Sequence, residues 1–342
     1  MPSKTMDTTP KPRVGVAGGT GGLGRTIVEH IANTGKYAVY VLTRSATGAI
    51  AGRRGIEALE LDYSSPSSIA ERLRAENIDT VISVIGITSE DDHHAQLNLI
   101  EGAALSGTVT RFAPSEYGWD YEEALKHGFP PTIPDLGTYH PAAYKAGAVS
   151  KLRSHGDRLT FTRFITGLLM DSFAHPVEPA PAPGFPPVAA VVLDVENARA
   201  ALPGDGNAHV VTTHSRDVGA SVARMLAVER GAWPERCWVV GERLTWNEAL
   251  VWAERARDQM FDMTYESVAE LKAGRVAELP ANVPRYALAS KRQLDGLLCV
   301  WGLAFAEGWL DFPGDTIGEL FPGMETTSFE KLMRRSWGSL KR

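Results

Sequence analysis

Apolar positions in the first half of the chain switch repeatedly between two periods. Val14, Val16 and Ala17 make the short apolar run that a buried strand needs, and Ile27, Val28 and Ile31 follow at helical spacing. The switch then recurs. Residues 38–42 and 58–61 read as strands, Pro66–Ala75 as a helix with proline in its first turn, 80–85 as a strand and 93–105 as a helix. Arg111–Ala113 and 161–164 supply later strands. This alternation predicts an α/β fold, a Rossmann-type doubly wound parallel sheet with helices on both faces and ligands at the carboxyl ends of its strands.

Near Gly167 the regularity stops. Residues 175–187 carry too much proline for central sheet or helix interior, and form a loop or a boundary. Beyond them come strands at 209–213 and 237–240, a helix over 216–229, and a helix after Thr245, where Thr245-x-x-Glu248 has the spacing of a capping box. Trp301, Phe305 and Trp309, with Leu303 and Leu310, read as core, or as the lining of a pocket for a ring-shaped substrate. No internal repeat is visible.

Five glycines fall between Gly18 and Gly24, at the junction of the first strand and first helix. They fit the dinucleotide fingerprint in two registers, Gly18-x-x-Gly21-x-x-Gly24 and Gly19-x-Gly21-x-x-Gly24. In such a turn one glycine permits the bend, one lets a pyrophosphate reach the backbone, and Gly24 lets the helix pack on the strand. The free N–H groups and the dipole of the helix favour a phosphate there, so Gly18, Thr20, Gly21, Gly22, Leu23 and Gly24 are the expected cofactor contacts. A plain glycine-rich turn is the bland alternative. No Gly-Lys-Ser/Thr ending suggests an NTP-hydrolysing loop.

The identity of the dinucleotide turns on the end of the second strand, where NAD-binding folds carry an acid and this chain has Thr43-Arg44-Ser45. A guanidinium grips a 2'-phosphate that a carboxylate repels, so Arg44 points to NADP(H); a solvated surface arginine is the competing reading. Arg53 and Arg54 are possible helpers. At the other strand ends, Asp62 is placed for the adenine amino group, Ile85 and Gly86 for backbone lying along the cofactor, and Ser115 beside them. Ordinary turn chemistry is the bland alternative for each of them.

Whole-chain quantities narrow the class. With 342 residues, 44% hydrophobic and 22% charged, the chain builds a real core. A net charge of −6, without a basic run or zinc-finger spacing, argues against nucleic acid. Cys237 and Cys299 are the whole cysteine complement, which suits a reducing, cytoplasmic home, and no apolar run suggests a membrane span. Asp91-Asp92-His93-His94 resembles a metal site, yet acids at a helix start complement the dipole and adjacent histidines cannot face one ion, so no metal is expected. Hydrolysis lacks a Gly-x-Ser-x-Gly elbow.

The segment RFAPSEYG, residues 111–118, together with GGTGGLG, the VLTR strand end, ISVIG and the lysine of YHPAAYKAGAVSKLRS, resembles the NmrA-like and isoflavone reductase-like proteins. These are atypical short-chain dehydrogenase/reductase relatives that include phenylcoumaran benzylic ether and pinoresinol-lariciresinol reductases. The likeness spans most of the first 170 residues, and more loosely 217–248. It implies an NADPH-dependent reductase of a conjugated aromatic or polyketide-like small molecule, in which Lys145, matching the family's lysine, moves the proton beside the nicotinamide. The Tyr-x-x-x-Lys of ordinary short-chain enzymes is absent, since Pro141 stands where tyrosine is needed. A lysine buried beside an apolar pocket can exchange a proton near neutrality. A solvated helix lysine, or one holding the nicotinamide ribose, remains open. Glu116 and Tyr117, with Gly167, Leu168 and Met170 as the opposite wall, are the expected substrate contacts.

The expected organisation is a disordered tail over 1–11, an NADP-binding domain over 12–165 and a smaller mixed α/β, mainly substrate-binding domain over 166–342. Segments near 188–240 have the option of returning to the first domain. A monomer or homodimer is expected. An NADP(H) sensor without catalysis, or a non-redox isomerase or epoxide-opening enzyme, are the alternative functions.

Overall fold

The structure, a computed structural model, describes residues 10–45, 55–133, 140–177 and 190–338. Most of the 1–11 tail, Arg53, Arg54 and residues 178–187 of the proline-rich stretch lie outside the described residues.

The first half runs β1 (Arg13–Ala17), α1 (Gly22–Asn33), β2 (Ala38–Thr43), β3 (Ile56–Glu60), α2 (Pro66–Ala75), β4 (Thr80–Ser83), α3 (Glu90–Ser106), β5 (Arg111–Ala113), α4 (Tyr121–Lys126), α5 (His140–Ser154) and β6 (Thr160–Phe161). The six strands form one parallel sheet in the order β3-β2-β1-β4-β5-β6. The reversal between β1 and β4 is the switch point at which such sheets open a crevice for ligands. Local chemistry sets the boundaries. Ser65 caps α2 by accepting from Ser68 N–H, with Pro66 at the first helical position, and Ser89 caps α3 in a reciprocal box with Asp92. Helix α3 therefore starts earlier than its apolar pattern, and it stops at Gly107, whose φ is 72°.

The strand expected over 161–164 is divided. β6 ends at Phe161, Thr162 N–H still reaches Phe112 O, and Arg163 N–H turns to Glu235 O at 2.9 Å. The next strand, β7 (Arg163–Ile165), thus pairs outside the main sheet. The remainder comprises β8 (Leu168–Leu169), β9 (Leu193–Asp194), β10 (Arg199–Pro203), β11 (His209–Thr213), α6 (Ser215–Met225), β12 (Arg236–Trp238), β13 (Glu242–Thr245), α7 (Trp246–Arg257), β14 (Asp262–Glu266), α8 (Val268–Lys272), α9 (Lys291–Ala306), α10 (Thr316–Leu320) and α11 (Phe329–Ser336). These strands form β14-β10-β9, β13-β11-β8 and β12-β7. Thr245 and Glu248 make the expected capping box.

Two cores matter for the site. Helix α6 lies on α1, burying Val218, Val222 and Met225 with Ile27 and Ile31, and Gly219 permits the approach because a Cβ there would sit 2.7 Å from His30 Nδ1. The chain from α6 to β12 therefore packs against the dinucleotide-type sheet. The other core gathers Trp119, Trp246, Phe305 and Phe329, with Trp301 edge-on to Trp119 at 4.8 Å. The Trp301, Phe305, Trp309 patch is thus core, with Trp309 partly buried against Phe129. A buried Phe-type side chain contributes roughly 1.5–3 kcal/mol over an exposed one. Among the described residues no helix is long and apolar enough to cross a membrane.

Candidate active site

A cleft of about 940 Å³ opens at the switch point. Gly18, Thr20 and Gly21 form its floor, Thr43 and Arg44 one end, Ile85 and Gly86 one side, and Asp91, His94 and Asn98 of α3 the other. The glycine turn is tight because backbone occupies the space a side chain would need. Gly18 has φ +77°, and a Cβ on it would meet Val84 O at 2.6 Å; a Cβ on Gly24 would meet Gly18 O at 2.2 Å. Gly24 thus lets α1 press on the turn, and Gly18 lets the turn press on the segment after β4. Gly21, extended at φ −157°, caps α1 without a side chain, leaving the N-terminal N–H groups of the helix to face the cleft. Gly22 is buried and Leu23 packs on the α1 core, so Leu23 can offer its backbone but not its side chain.

Arg44 is exposed where this cleft meets a second cavity of about 660 Å³, lined also by Asp62, Ser64 and Arg72. Asp62 accepts from Ser64 N–H at 2.9 Å and from its hydroxyl at 2.6 Å, and these bonds hold its carboxyl below the usual range. It is an Asx-type turn with a free edge toward the cavity. Gly86 is exposed with nothing within 4 Å of a built Cβ, so open space lies above it.

Lys145 sits on α5 and is partly buried. Its Nζ donates to the carbonyls of Ser115 and Glu116, both at 2.7 Å, and stands 4.9 Å from the centre of the Tyr121 ring. Ser115 Oγ donates to Ile85 O at 2.8 Å, which ties this ammonium to the wall of the cleft through two bonded residues. Burial pushes the ammonium below the ordinary lysine range, against the pull of the Glu116 charge. The solvated-lysine alternative does not describe this residue.

The expected substrate contacts fare differently. Glu116 is 1% exposed and turns its carboxylate inward, 3.9 Å from the fully buried Arg163. Tyr117 adopts a left-handed backbone, φ +43°, stacks on Phe164 and buries its hydroxyl in the α1 core. Leu168 and Met170, at 6% and 0% exposure, belong to the aromatic core, because the chain after β7 pairs as β8 alongside β11. Gly167 permits that close approach, since a Cβ there would meet Val211 O at 2.1 Å. The side chains of Leu168 and Met170 therefore form no open wall. Sequence reasoning overlooked Asn98 and His94. Their signal was present as polar positions 91, 94 and 98 at helical spacing along α3. Asp92 is spent on the helix cap, accepting from Thr88 and Ser89, and no group of three potential metal ligands exists among the described residues.

A sequence model of the NmrA-like family matches residues 10–285. The oxidoreductase swnN of Metarhizium robertsii is 30% identical over 341 residues, covering 95% of this chain and 97% of that protein. The oxidoreductase BOA1 of Botryotinia fuckeliana is 36% identical over 241 residues, or 70% of this chain and 73% of its own. Among solved structures, AtPrR2 with NADP+ and (+)-pinoresinol shares the fold at a TM-score of 0.70 and 21% identity, covering 95% of this chain and 98% of that one. The chain belongs to the NmrA-like family.

Proposed function

We propose that this protein is an NADPH-dependent reductase of a conjugated aromatic or polyketide-like small molecule, with Lys145 moving the proton that accompanies the hydride. The observation that carries the reading is the ammonium of Lys145, held by two carbonyls at the end of β5 and linked through Ser115 to the cleft wall. The cleft suits the cofactor. Its glycine turn excludes side chains by backbone contacts of 2.6 and 2.2 Å, a helix N-terminus faces it, and Arg44 stands where a 2'-phosphate needs a cation. NADPH, when bound, supplies the hydride. The names of the curated relatives, oxidoreductases of two fungi, and the NADP+ complex sharing the fold support the same cofactor and class.

The chain's own groups then have distinct tasks. Gly18 and Gly24 keep the turn tight, Gly21 admits the pyrophosphate, and Arg44 selects the 2'-phosphate. Two of the three Lys145 N–H donors are used on carbonyls, and the third is left for a substrate oxygen in this reading. Reduction of a carbonyl or quinone-methide-like carbon builds negative charge on that oxygen, and a positioned ammonium of lowered basicity neutralises it by giving up a proton. Lys145→Ala is expected to lower kcat roughly a hundredfold or more, with NADPH affinity little changed. Survival of turnover with loss of NADPH affinity would instead make Lys145 a ribose ligand.

A further inference from the structure

The Glu116 side chain is 0% exposed, and neither of its carboxylate oxygens accepts a hydrogen bond. A buried carboxylate without a bonded donor costs several kcal/mol unless it is neutral or faces fixed positive charge. Its surroundings supply that charge from two elements. Lys145 on α5 bonds the Glu116 carbonyl, and Arg163 on β7 approaches the carboxylate to 3.9 Å. Asp120 and Glu122, at the start of α4, take the rest of Arg163: Asp120 Oδ1 accepts from its Nη1 at 2.9 Å, and Glu122 Oε2 lies 3.6 Å from its Nη2. Beyond them Glu235 precedes β12 and Arg236 begins it, Glu123 pairs with Arg236, and Arg153 of α5 bonds both Glu122 and Glu235. The arginine is thus shared among acids, and Glu116 receives the smallest part of it.

The backbone makes the arrangement rigid. Tyr117 is left-handed at φ +43°, an uncommon state for an aromatic residue, and its N–H bonds Phe164 O at 2.9 Å. That reversal presents the carbonyls of both Ser115 and Glu116 to Lys145 while the Glu116 side chain points inward. Gly118 completes it, because a Cβ there would lie 2.3 Å from the Tyr121 hydroxyl and displace the ring that covers the ammonium.

We propose that Glu116 is a positioning residue for the Lys145 proton: its sealed, unbonded carboxylate is the counter-charge that sets when the lysine is protonated. The inference deepens the reductase reading and rests on it for its catalytic meaning. Burial weakens the ammonium of Lys145 and the anion of Glu116 alike, and each opposes that effect in the other. Removing the anion leaves burial acting on Lys145 unopposed, so the lysine must release its proton at lower pH.

The test is an NMR titration of the full chain, with lysine labelled at Cε and glutamate at Cδ, assigned through Lys145→Arg and Glu116→Gln. In the native protein Glu116 is expected to titrate above the ordinary carboxyl range, and the Lys145 curve to bend where Glu116 titrates. In Glu116→Gln the Lys145 midpoint should fall by about one pH unit, the lower end of what a neighbouring charge does. Glu116→Asp, which keeps the charge, should restore most of that loss. An ordinary carboxyl titration for native Glu116, or an unmoved Lys145 midpoint in Glu116→Gln, overturns the proposal. The native titration decides the matter even where the variant does not fold. Because it needs no turnover, it stays separate from the reductase reading: a failure to oxidise NADPH with any substrate refutes that reading, whereas uncoupled titrations refute this one.

Discussion

Two alanine substitutions separate what the glycines do for the fold from what they do for a ligand. In Gly24→Ala the new methyl would start 2.2 Å from Gly18 O, about 1 Å short of ordinary contact with a backbone atom that cannot rotate away. Overpacking of this kind costs roughly 1–3 kcal/mol. Alanine's better helix propensity returns about 1 kcal/mol, since Gly24 lies in the first turns of α1 with no positive φ to strain. The net loss is therefore about 0–2 kcal/mol, but the displaced turn is the cleft floor, so NADPH affinity should fall at least tenfold. Gly86→Ala is the control with opposite logic. Nothing lies within 4 Å of its methyl, so urea unfolding should be unchanged within about 0.5 kcal/mol. Its methyl nevertheless occupies the space above the cleft wall, so NADPH binding should weaken. Urea denaturation and calorimetric titration with NADPH read the two quantities independently. If Gly86→Ala and Gly24→Ala both bind NADPH like the native protein, the cofactor does not lie in this cleft.

Other consequences are equally direct. Arg44→Asp should weaken NADPH about ten- to a hundredfold and reverse or erase its advantage over NADH, as measured by paired titrations; equal native affinities for the two would refute the role given to Arg44. The carboxyl of Glu122 is held down to about 2, first by the Arg153 hydrogen bonds, in opposition to burial. A folded-state value below the unfolded one gives stability that is present above about pH 4 and lost as pH falls toward 2. Glu122→Gln should therefore cost roughly 1–2 kcal/mol near neutrality and almost nothing at pH 2, by urea unfolding at both; a cost independent of pH contradicts the ion-pair account.

What could be read before the structure was local. The glycine turn, the strand Ala38–Thr43 ending at Arg44, and the caps at Ser65 and Thr245 depend on neighbours a few residues away, so short patterns carry them. The lysine was reached through its resemblance to a family, and its two carbonyl acceptors come from a strand end earlier in the chain. The misplaced residues share one cause. Glu116 points inward where the backbone reverses at Tyr117, near Arg163 of β7, and Gly167 and Met170 are enclosed because β8 pairs alongside β11. Apolar or acidic identity alone cannot tell a pocket wall from a core when the covering element lies far along the chain. The division of 161–164 had the same origin, since β12 captures Arg163 and its neighbours.

The central claim, that Lys145 and the glycine-turn cleft make an NADPH-dependent reductase, is tested most directly by isotope transfer. Purified protein is mixed with NADPH deuterated at the reactive carbon of the nicotinamide and a panel of conjugated phenolic ketones, enones and benzylic ethers, and each product is weighed by mass spectrometry. Deuterium should enter at least one product from the native protein, and its rate of entry should fall roughly a hundredfold in Lys145→Ala with NADPH still bound. Tight NADPH binding with no deuterium in any product, or undiminished transfer by Lys145→Ala, would contradict the account.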